Sequence, residues 1–142
     1  MIDKINKLHK IVVVAGGWSD EREISLMSGK NVYSCLRKNK FKINFFNLKK
    51  NNIEEILLYR PDIIFNSLHG EYGEDGGLNS LANKNNIVIT HSCAISSALC
   101  FNKRLLKKFL KKEINILSPK EVINENQVTF PIIMKPNWGG SS

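Results

Sequence analysis

The sequence is poor in cysteine, proline and aromatic side chains. Its 142 residues include three cysteines, four prolines and 8% aromatic residues. Cys35, Cys93 and Cys100 form no C-x-x-C pair and have no histidine at zinc-ligand spacing, which argues against a disulfide framework and against a structural zinc site. We therefore expect free thiols in a reducing cytoplasm.

Long hydrophobic runs are also missing. The segment before the first apolar stretch mixes Asp3 with three lysines, and the stretch itself covers only Ile11 to Ala15. It is too short for the hydrophobic part of a signal peptide or for a membrane span. The sequence predicts a cytoplasmic protein without a membrane partner.

Acidic residues are outnumbered by basic ones, with 13 against 21 and a net charge of +8. Six basic residues lie between positions 103 and 112 with leucine and phenylalanine between them, which predicts an amphipathic helix with a solvated lysine face and a buried leucine face. Contact with nucleic acid or an anionic ligand is the alternative. Asn, Ile and Lys make up over a third of the chain, so a coding bias explains much of the basicity and we expect no nucleic-acid partner.

Apolar patterns alternate between strand and helix along the first part of the chain. The β-branched run Ile11 to Ala15 is typical of a strand buried on both faces. Asp20 and Glu23 then have the spacing of a capping box, and apolar residues recur at helical spacing from Ile24 to Leu36. Further strands are predicted at Lys42 to Leu48, Asp62 to Asn66 and Ile87 to Ile89, with helical segments near Ile53 to Leu58 and Leu78 to Lys84.

This alternation predicts an α/β fold, a Rossmann-like parallel sheet with flanking helices. We expect an N-terminal domain over residues 1–95 and the beginning of a second domain over residues 96–142. A strand is predicted in this second part at Pro131 to Lys135, followed by a glycine-serine loop that reaches Ser142. Such a strand usually needs a downstream partner for its backbone groups, so the second domain is expected to be truncated.

Ligands of parallel sheets bind at the carboxyl ends of the strands, where two loops are predicted. Gly16 to Glu23 combines backbone N–H groups with three acids, which suit either helix capping or a ligand ammonium group. His69 to Gly76 offers an imidazole that can donate a hydrogen bond to a carboxylate or a phosphate. The acids Glu71, Glu74 and Asp75 match no calcium-loop spacing, and Asp75 is interpreted as a helix cap.

A further candidate region lies near the last residue. Lys135 and the loop Gly139 to Ser142 supply an ammonium group and flexible hydroxyl groups, which suit phosphate binding. The spacing is not that of a Walker loop. On spacing alone, an ordinary glycine turn explains these residues equally well.

Four segments in this order resemble the D-alanine–D-alanine ligases of the ATP-grasp superfamily. They are Gly16 to Gly29, Leu68 to Gly76, Thr90 to Ser92 together with Ser97 to Lys103, and Pro131 to Pro136 together with Gly140 to Ser142. The resemblance implies a pre-ATP-grasp α/β domain and the start of an ATP-grasp domain. It also implies a cytoplasmic homodimer that joins two D-alanines through an acyl phosphate for peptidoglycan synthesis, with ATP and Mg2+ as cofactors.

The same resemblance implies a first-substrate subsite. Glu21 matches the glutamate that holds the ammonium group of the first D-alanine, and Ser141 matches the serine that supports it. His69 matches a histidine beside this substrate. A carboxylate and a hydroxyl group around an ammonium group make charge-assisted hydrogen bonds.

An ATP subsite is implied in the second part of the chain. Lys103 and Lys135 match the two lysines that contact the ATP phosphates, and Gly140 to Ser142 match the mobile loop that closes over them. The resemblance places the magnesium ligands, a loop tyrosine and an arginine beyond Ser142. The chain alone is therefore expected to be inactive.

Two departures from the family pattern leave these groups in place. Asn102 stands where many members have aspartate, and Cys93 stands where glycine is usual.

Two alternatives to the ligase stay open. One is a non-catalytic binding module or decayed remnant, and the other is a related ATP-grasp ligase with a different second substrate, such as D-lactate or D-serine.

Overall fold

The computed structural model describes residues 9–113, 121–122, 126 and 128–139. Within them the chain forms four β-strands, four α-helices and one 3₁₀ helix. In chain order these are β1 (Lys10–Gly16), α1 (Arg22–Lys38), β2 (Lys42–Leu48), the 3₁₀ helix (Ile53–Tyr59), β3 (Ile63–Asn66), α2 (Gly77–Lys84), β4 (Val88–Ile89), α3 (Ala94–Phe101) and α4 (Lys103–Glu113).

The four strands form one parallel sheet in the order β2-β1-β3-β4. Val13 in β1 lies opposite Phe45 in β2 and Phe65 in β3. Parallel strands need helical connections that cover the faces of the sheet, which explains the continuous apolar run in β1. The predicted α/β fold with flanking helices is confirmed.

The main core lies on one face of the sheet. Val12, Val14 and Ile64 are fully buried there against Ile56 of the 3₁₀ helix and Leu78 of α2. Side chains alternate along a strand, so Val13 and Ala15 point to the opposite face, where α1 packs on the sheet. β1 is therefore buried on both faces, as its sequence predicts.

Helix α1 differs from its prediction in two respects. Glu21 occupies the N-cap position without a side-chain cap bond, so the capping box of Asp20 and Glu23 is wrong. The chain instead turns before the helix, where the Arg22 N–H donates to the Ser19 carbonyl oxygen at 3.1 Å. The apolar Ile24 is 51% exposed, because the helix approaches the sheet through its small residues.

Gly29 makes this approach possible. A Cβ at Gly29 would lie 2.5 Å from the Cβ of Ala15 and 3.2 Å from the ring of Phe45. Only a residue without a side chain fits this distance. The close approach brings Ser25, which is fully buried, to the carboxyl ends of the strands.

The second part of the chain departs furthest from its predictions. The lysine-rich helix forms as α4, yet none of its residues is buried, and Leu105 and Phe109 are 49% and 46% exposed. The predicted buried leucine face is therefore wrong, because α3, which packs against α4, leaves Leu106 and Leu110 only half-buried. The segment from Pro131 to Lys135 forms no strand, since its backbone meets no partner strand among the described residues.

Asn102 separates α3 from α4. Its backbone is extended between α3 and α4, and its side-chain Oδ1 accepts a hydrogen bond from the Leu105 N–H at 2.9 Å. This bond satisfies a free donor at the start of α4. None of the described helices is long and apolar enough to span a membrane.

Candidate functional site

Two loops meet at the carboxyl edge of the sheet. The first loop, residues 17–21, follows β1, and the second loop, residues 67–76, follows β3. The Ser19 hydroxyl of the first loop donates a hydrogen bond to the His69 carbonyl oxygen of the second at 2.7 Å. A Cβ at Gly70 would lie 4.0 Å from Oε2 of Glu21. The structure therefore brings the segments carrying Glu21 and His69 together.

Ser25 of helix α1 bonds to the end of β1 and to the first residue of the second loop. Its buried Oγ accepts a hydrogen bond from the Gly16 N–H at 2.8 Å and donates one to the Ser67 carbonyl oxygen at 2.7 Å. One hydroxyl group thus connects the ends of β1 and β3. The sequence gives a weak signal for this role, a serine among the apolar positions of an amphipathic helix.

Arg22 fixes the start of the first loop. Its Nη1 donates to the carbonyl oxygens of Gly17 at 2.6 Å and Leu48 at 3.1 Å, and its Nη2 donates to Oδ1 of Asn47 at 2.8 Å. The backbone N–H of Gly17 also donates to the Leu48 carbonyl oxygen, at 3.0 Å. These bonds tie the loop to the end of β2.

The acids of the second loop accept hydrogen bonds from its own backbone. Glu74 accepts one from the Gly70 N–H at 2.9 Å through Oε2, while its Oε1 lies 3.9 Å from Nδ1 of His69. Asp75 accepts hydrogen bonds from the N–H groups of Tyr72 and Gly77, both at 2.9 Å. Gly76, and not Asp75, is the N-cap residue of α2 and makes no side-chain cap bond. Asp75 lies one position earlier, and its carboxylate accepts a hydrogen bond from the N–H of Gly77, the first residue of the helix.

The acids do not gather into a metal site in the described part of the chain. No group of three His, Cys, Asp or Glu side chains there has the geometry to hold a metal ion. Glu71 is exposed, and the other two acids of the second loop are engaged as described. The described residues therefore include no group of side chains that could hold Mg2+.

Asn66 supports the candidate site and was not predicted from the sequence. It is 3% exposed at the end of β3, and its side chain donates to the Gly73 carbonyl oxygen at 2.9 Å and accepts from the Leu68 N–H at 3.0 Å. These bonds hold both sides of the His69 turn. A buried amide with satisfied hydrogen bonds can define a single loop conformation.

An aromatic pair closes one side of the two loops. The rings of Trp18 and Tyr72 are 5.3 Å apart, and Nζ of Lys50 lies 5.4 Å from the centre of the Trp18 ring. Burial raises the pKa of the Tyr72 phenol above its ordinary value, and the negative charge of Asp75 adds to this rise. Tyr72 therefore stays neutral at physiological pH.

Lys103 lies at the start of α4 against the segment before the glycine-serine loop. Its Nζ donates to the Gly139 carbonyl oxygen at 2.8 Å, and its backbone N–H donates to the Asn137 carbonyl oxygen at 3.0 Å. Asn102 and Trp138 form an isolated antiparallel bridge beside these bonds. The structure thus brings Lys103 to Gly139, the first residue of the predicted phosphate loop.

Of the other predicted ATP residues, the structure describes Lys135. Lys135 is exposed and makes no hydrogen bond or ion pair with the residues that the structure describes. Gly140, Ser141 and Ser142 lie outside the described residues. The pairing of Ser141 with Glu21 and the closing of this loop stay predictions.

Comparisons with known proteins identify relatives of the chain. No protein-family model matches it. It is 37% identical to the D-alanine–D-alanine ligase of Pelagibacter ubique over 146 residues, 94% of this chain and 48% of that protein. It is 41% identical to the D-alanine–D-alanine ligase of Rickettsia typhi over 138 residues, 93% of this chain and 43% of that protein.

A solved structure extends the likeness to the fold. The crystal structure of the Bacillus anthracis D-alanine–D-alanine ligase complexed with ATP superimposes with a TM-score of 0.79 and 31% identity, covering 92% of this chain and 48% of that one. The chain spans less than half the length of these three ligases.

Proposed function

Because the chain is homologous to the N-terminal region of the D-alanine–D-alanine ligases, we propose that it carries the first D-alanine subsite of such an enzyme and part of its ATP subsite. The supporting observation is the contact between the two loops at the carboxyl edge of the sheet, where the Ser19 hydroxyl bonds to the His69 backbone. Ligands of open parallel sheets bind at this edge.

The two ends of a D-alanine zwitterion suit the two loops. The Glu21 carboxylate attracts the ammonium group, and Ser141 supports it with a hydroxyl group. The His69 imidazole donates a hydrogen bond to the substrate carboxylate. Such charge-assisted hydrogen bonds are short and strong, and they orient the carboxylate for reaction.

Lys103, Lys135 and the loop Gly140 to Ser142 form the proposed contribution to the ATP subsite. Two ammonium groups and a glycine-serine loop are a donor set that fits phosphate oxygens. The related ligase from Bacillus anthracis was solved in complex with ATP, which supports this assignment. Mg2+ is proposed to be held by groups outside the described residues.

The proposed reaction is the ATP-dependent joining of two D-alanines. ATP phosphorylates the carboxylate of the first D-alanine and leaves as ADP. The amine of the second D-alanine then attacks the acyl carbon, loses a proton and displaces inorganic phosphate, which gives D-alanyl-D-alanine. Residues of this chain bind and orient the first substrate and neutralise phosphate charge, which are the main contributions to phosphoryl transfer. The chain alone is proposed to be inactive, and the complete enzyme a cytoplasmic homodimer that supplies peptidoglycan synthesis.

Titration of the isotopically labelled chain with D-alanine tests the first-substrate subsite. We expect the amide resonances of residues 17–21 and 67–76 to shift, and Glu21→Gln to weaken binding by about 10- to 100-fold, the scale of a hydrogen bond to a charged group. Glu23→Gln is the matched control, because Glu23 is exposed on the first turn of α1.

D-lactate provides a second control, because it carries a hydroxyl group in place of the ammonium group. It is expected to bind the wild-type chain weakly and to be indifferent to Glu21→Gln. Equal D-alanine affinity in Glu21→Gln and the wild type would remove the role assigned to Glu21.

A further inference from the structure

The side chain of Arg22 lies where the first loop leaves the sheet. Its guanidinium group bonds to three acceptors on two segments, the Gly17 carbonyl oxygen, the Leu48 carbonyl oxygen and the Asn47 side chain. A Cβ at Gly16 would lie 2.7 Å from Nη1 of Arg22. The guanidinium group therefore uses space that the glycine leaves free.

These bonds hold one end of the short segment that carries Glu21. The Gly17 carbonyl oxygen is fixed by the Arg22 side chain, and the Arg22 backbone N–H donates to the Ser19 carbonyl oxygen at 3.1 Å. At the other end, the Glu21 carbonyl oxygen accepts a hydrogen bond from the Ser25 N–H at 3.0 Å. The loop between the two ends has little freedom to move the Glu21 side chain.

The same bonds determine the charge around Glu21. Arg22 follows Glu21 directly in sequence, yet its guanidinium group pairs with no carboxylate among the described residues and is satisfied by neutral oxygen acceptors. The Glu21 carboxylate likewise has no cationic partner in the described part of the chain. A direct ion pair between the neighbours would compete with an ammonium ligand for the same carboxylate.

We propose that Arg22 is a positioning residue that orients Glu21 and keeps its carboxylate unpaired for the ammonium group of D-alanine. This inference rests on the proposed function of the two loops. The role requires the planar fork of a guanidinium group, whose nitrogens reach acceptors on two segments at once. A lysine ammonium group keeps the charge but not this fixed geometry.

Substitution of Arg22 tests the proposal through D-alanine affinity. We expect Arg22→Met to weaken D-alanine binding to the labelled chain by about tenfold or more, the effect of losing charge-assisted hydrogen bonds. Arg22→Lys is expected to weaken it nearly as much, because charge alone does not restore the geometry. Lys30→Met, which removes an exposed charge from the same helix, is expected to bind as the wild type does.

The D-alanine affinities of these variants distinguish a failure of the Arg22 role from a failure of the proposed D-alanine subsite. Wild-type affinity in Arg22→Met would overturn the role of Arg22 and leave the D-alanine subsite intact. Full recovery in Arg22→Lys would replace the positioning role with a purely electrostatic one. Loss of affinity in both variants, with Lys30→Met unaffected, supports the proposal.

Backbone measurements keep the test independent of D-alanine binding. If the wild-type chain binds no D-alanine, the subsite proposal fails, and hydrogen exchange of the Gly17 amide then reports on Arg22 directly. We expect this exchange to accelerate in Arg22→Met, and unchanged exchange would overturn the positioning role.

Should Arg22→Met fail to fold, Asn47→Ala removes the acceptor of Nη2 alone. This variant is expected to weaken D-alanine binding about two- to fivefold, and unaltered affinity would count against the proposal.

Discussion

Residues 9–93 and the described residues between 94 and 139 differ in how far they bury their apolar side chains. All buried hydrophobic residues of the described chain lie in the first region, from Ile11 to Ala82. Most of its exposed large hydrophobic residues lie in the second: Ile95, Leu105, Phe109, Val122, Phe130, Ile132, Ile133, Met134 and Trp138. The first region closes a core around its sheet, whereas in the second α3 and α4 pack together and leave much of their apolar surface exposed.

The difference shows that apolar sequence patterns form a core only where partners are available. β1 has a strand on each side and is covered on both faces. The segment from Pro131 to Lys135 also contains a run of apolar residues but has no neighbouring strand in the described part of the chain. A strand without backbone partners gains little from its β-propensity.

A matched pair of isoleucine substitutions tests this comparison with the largest expected effect. Ile64 is fully buried in β3, and Ile133 is 84% exposed. We expect Ile64→Ala to lower the free energy of unfolding by about 2–5 kcal/mol through lost burial and a cavity. Ile133→Ala is expected to change it by less than about 0.5 kcal/mol, as for most surface substitutions.

Denaturant unfolding followed by circular dichroism measures both variants. Equal destabilisation by the two substitutions would contradict the division into a closed and an uncovered region. A large loss of unfolding free energy in Ile133→Ala alone would show that the main core lies in the second region and not in the first.

Removal of the Ser25 hydroxyl group tests how the first region holds its two loops. Ser25→Ala leaves the Gly16 N–H and the Ser67 carbonyl oxygen without their buried partner, at an expected cost of about 1–3 kcal/mol in unfolding free energy. Ser28→Ala on the same helix is the control and is expected to be nearly neutral. An unchanged midpoint in thermal unfolding of Ser25→Ala would show that this hydroxyl group does not join the loops.

Alkylation of Cys93 tests the junction of the two regions and has the smallest expected effect. Hydrogen bonds from the Ser96 hydroxyl and then from the Ser96 backbone lower the pKa of the Cys93 thiol. A lowered pKa increases the thiolate fraction below the ordinary pKa, so Ser96→Ala should slow iodoacetamide labelling of Cys93 near pH 7.5 by about two- to fivefold. Labelling of exposed Cys100 serves as the internal control, and an unaltered Cys93 rate would exclude the Ser96 contact.

The fold was largely predictable, because strand and helix patterns depend on nearby residues. The apolar run of β1 and the spacing of the later strands identify a parallel α/β sheet. The start of α1 was not predictable in this way. Its capping box fails because Glu21, and not Asp20, is the N-cap residue, after a turn in which the Arg22 N–H donates to the Ser19 carbonyl oxygen.

The candidate site was predictable in its residue types and only partly in its geometry. Glycines and acids after a strand indicate loops at the sheet edge, and this located the segments Gly16 to Glu23 and His69 to Gly76, whereas Glu21 was singled out by resemblance. Asn66 and Ser25 gave weak signals, because their importance comes from contacts with residues 7 and 42 positions away in the chain. Lys103 was identified by resemblance, whereas its bond to the Gly139 carbonyl oxygen required the structure.

By itself the sequence determined the kind of fold and the chemistry available at its edge, since hydrophobic periodicity and side-chain type are local properties. Tertiary structure alone decided the strand order β2-β1-β3-β4, the contact between the two loops and the acceptors of Arg22. It also decided that Ile24 faces outward while Ser25 and Gly29 face the sheet. These outcomes depend on close packing between distant segments, where the space left by a glycine or the reach of a guanidinium group selects one arrangement.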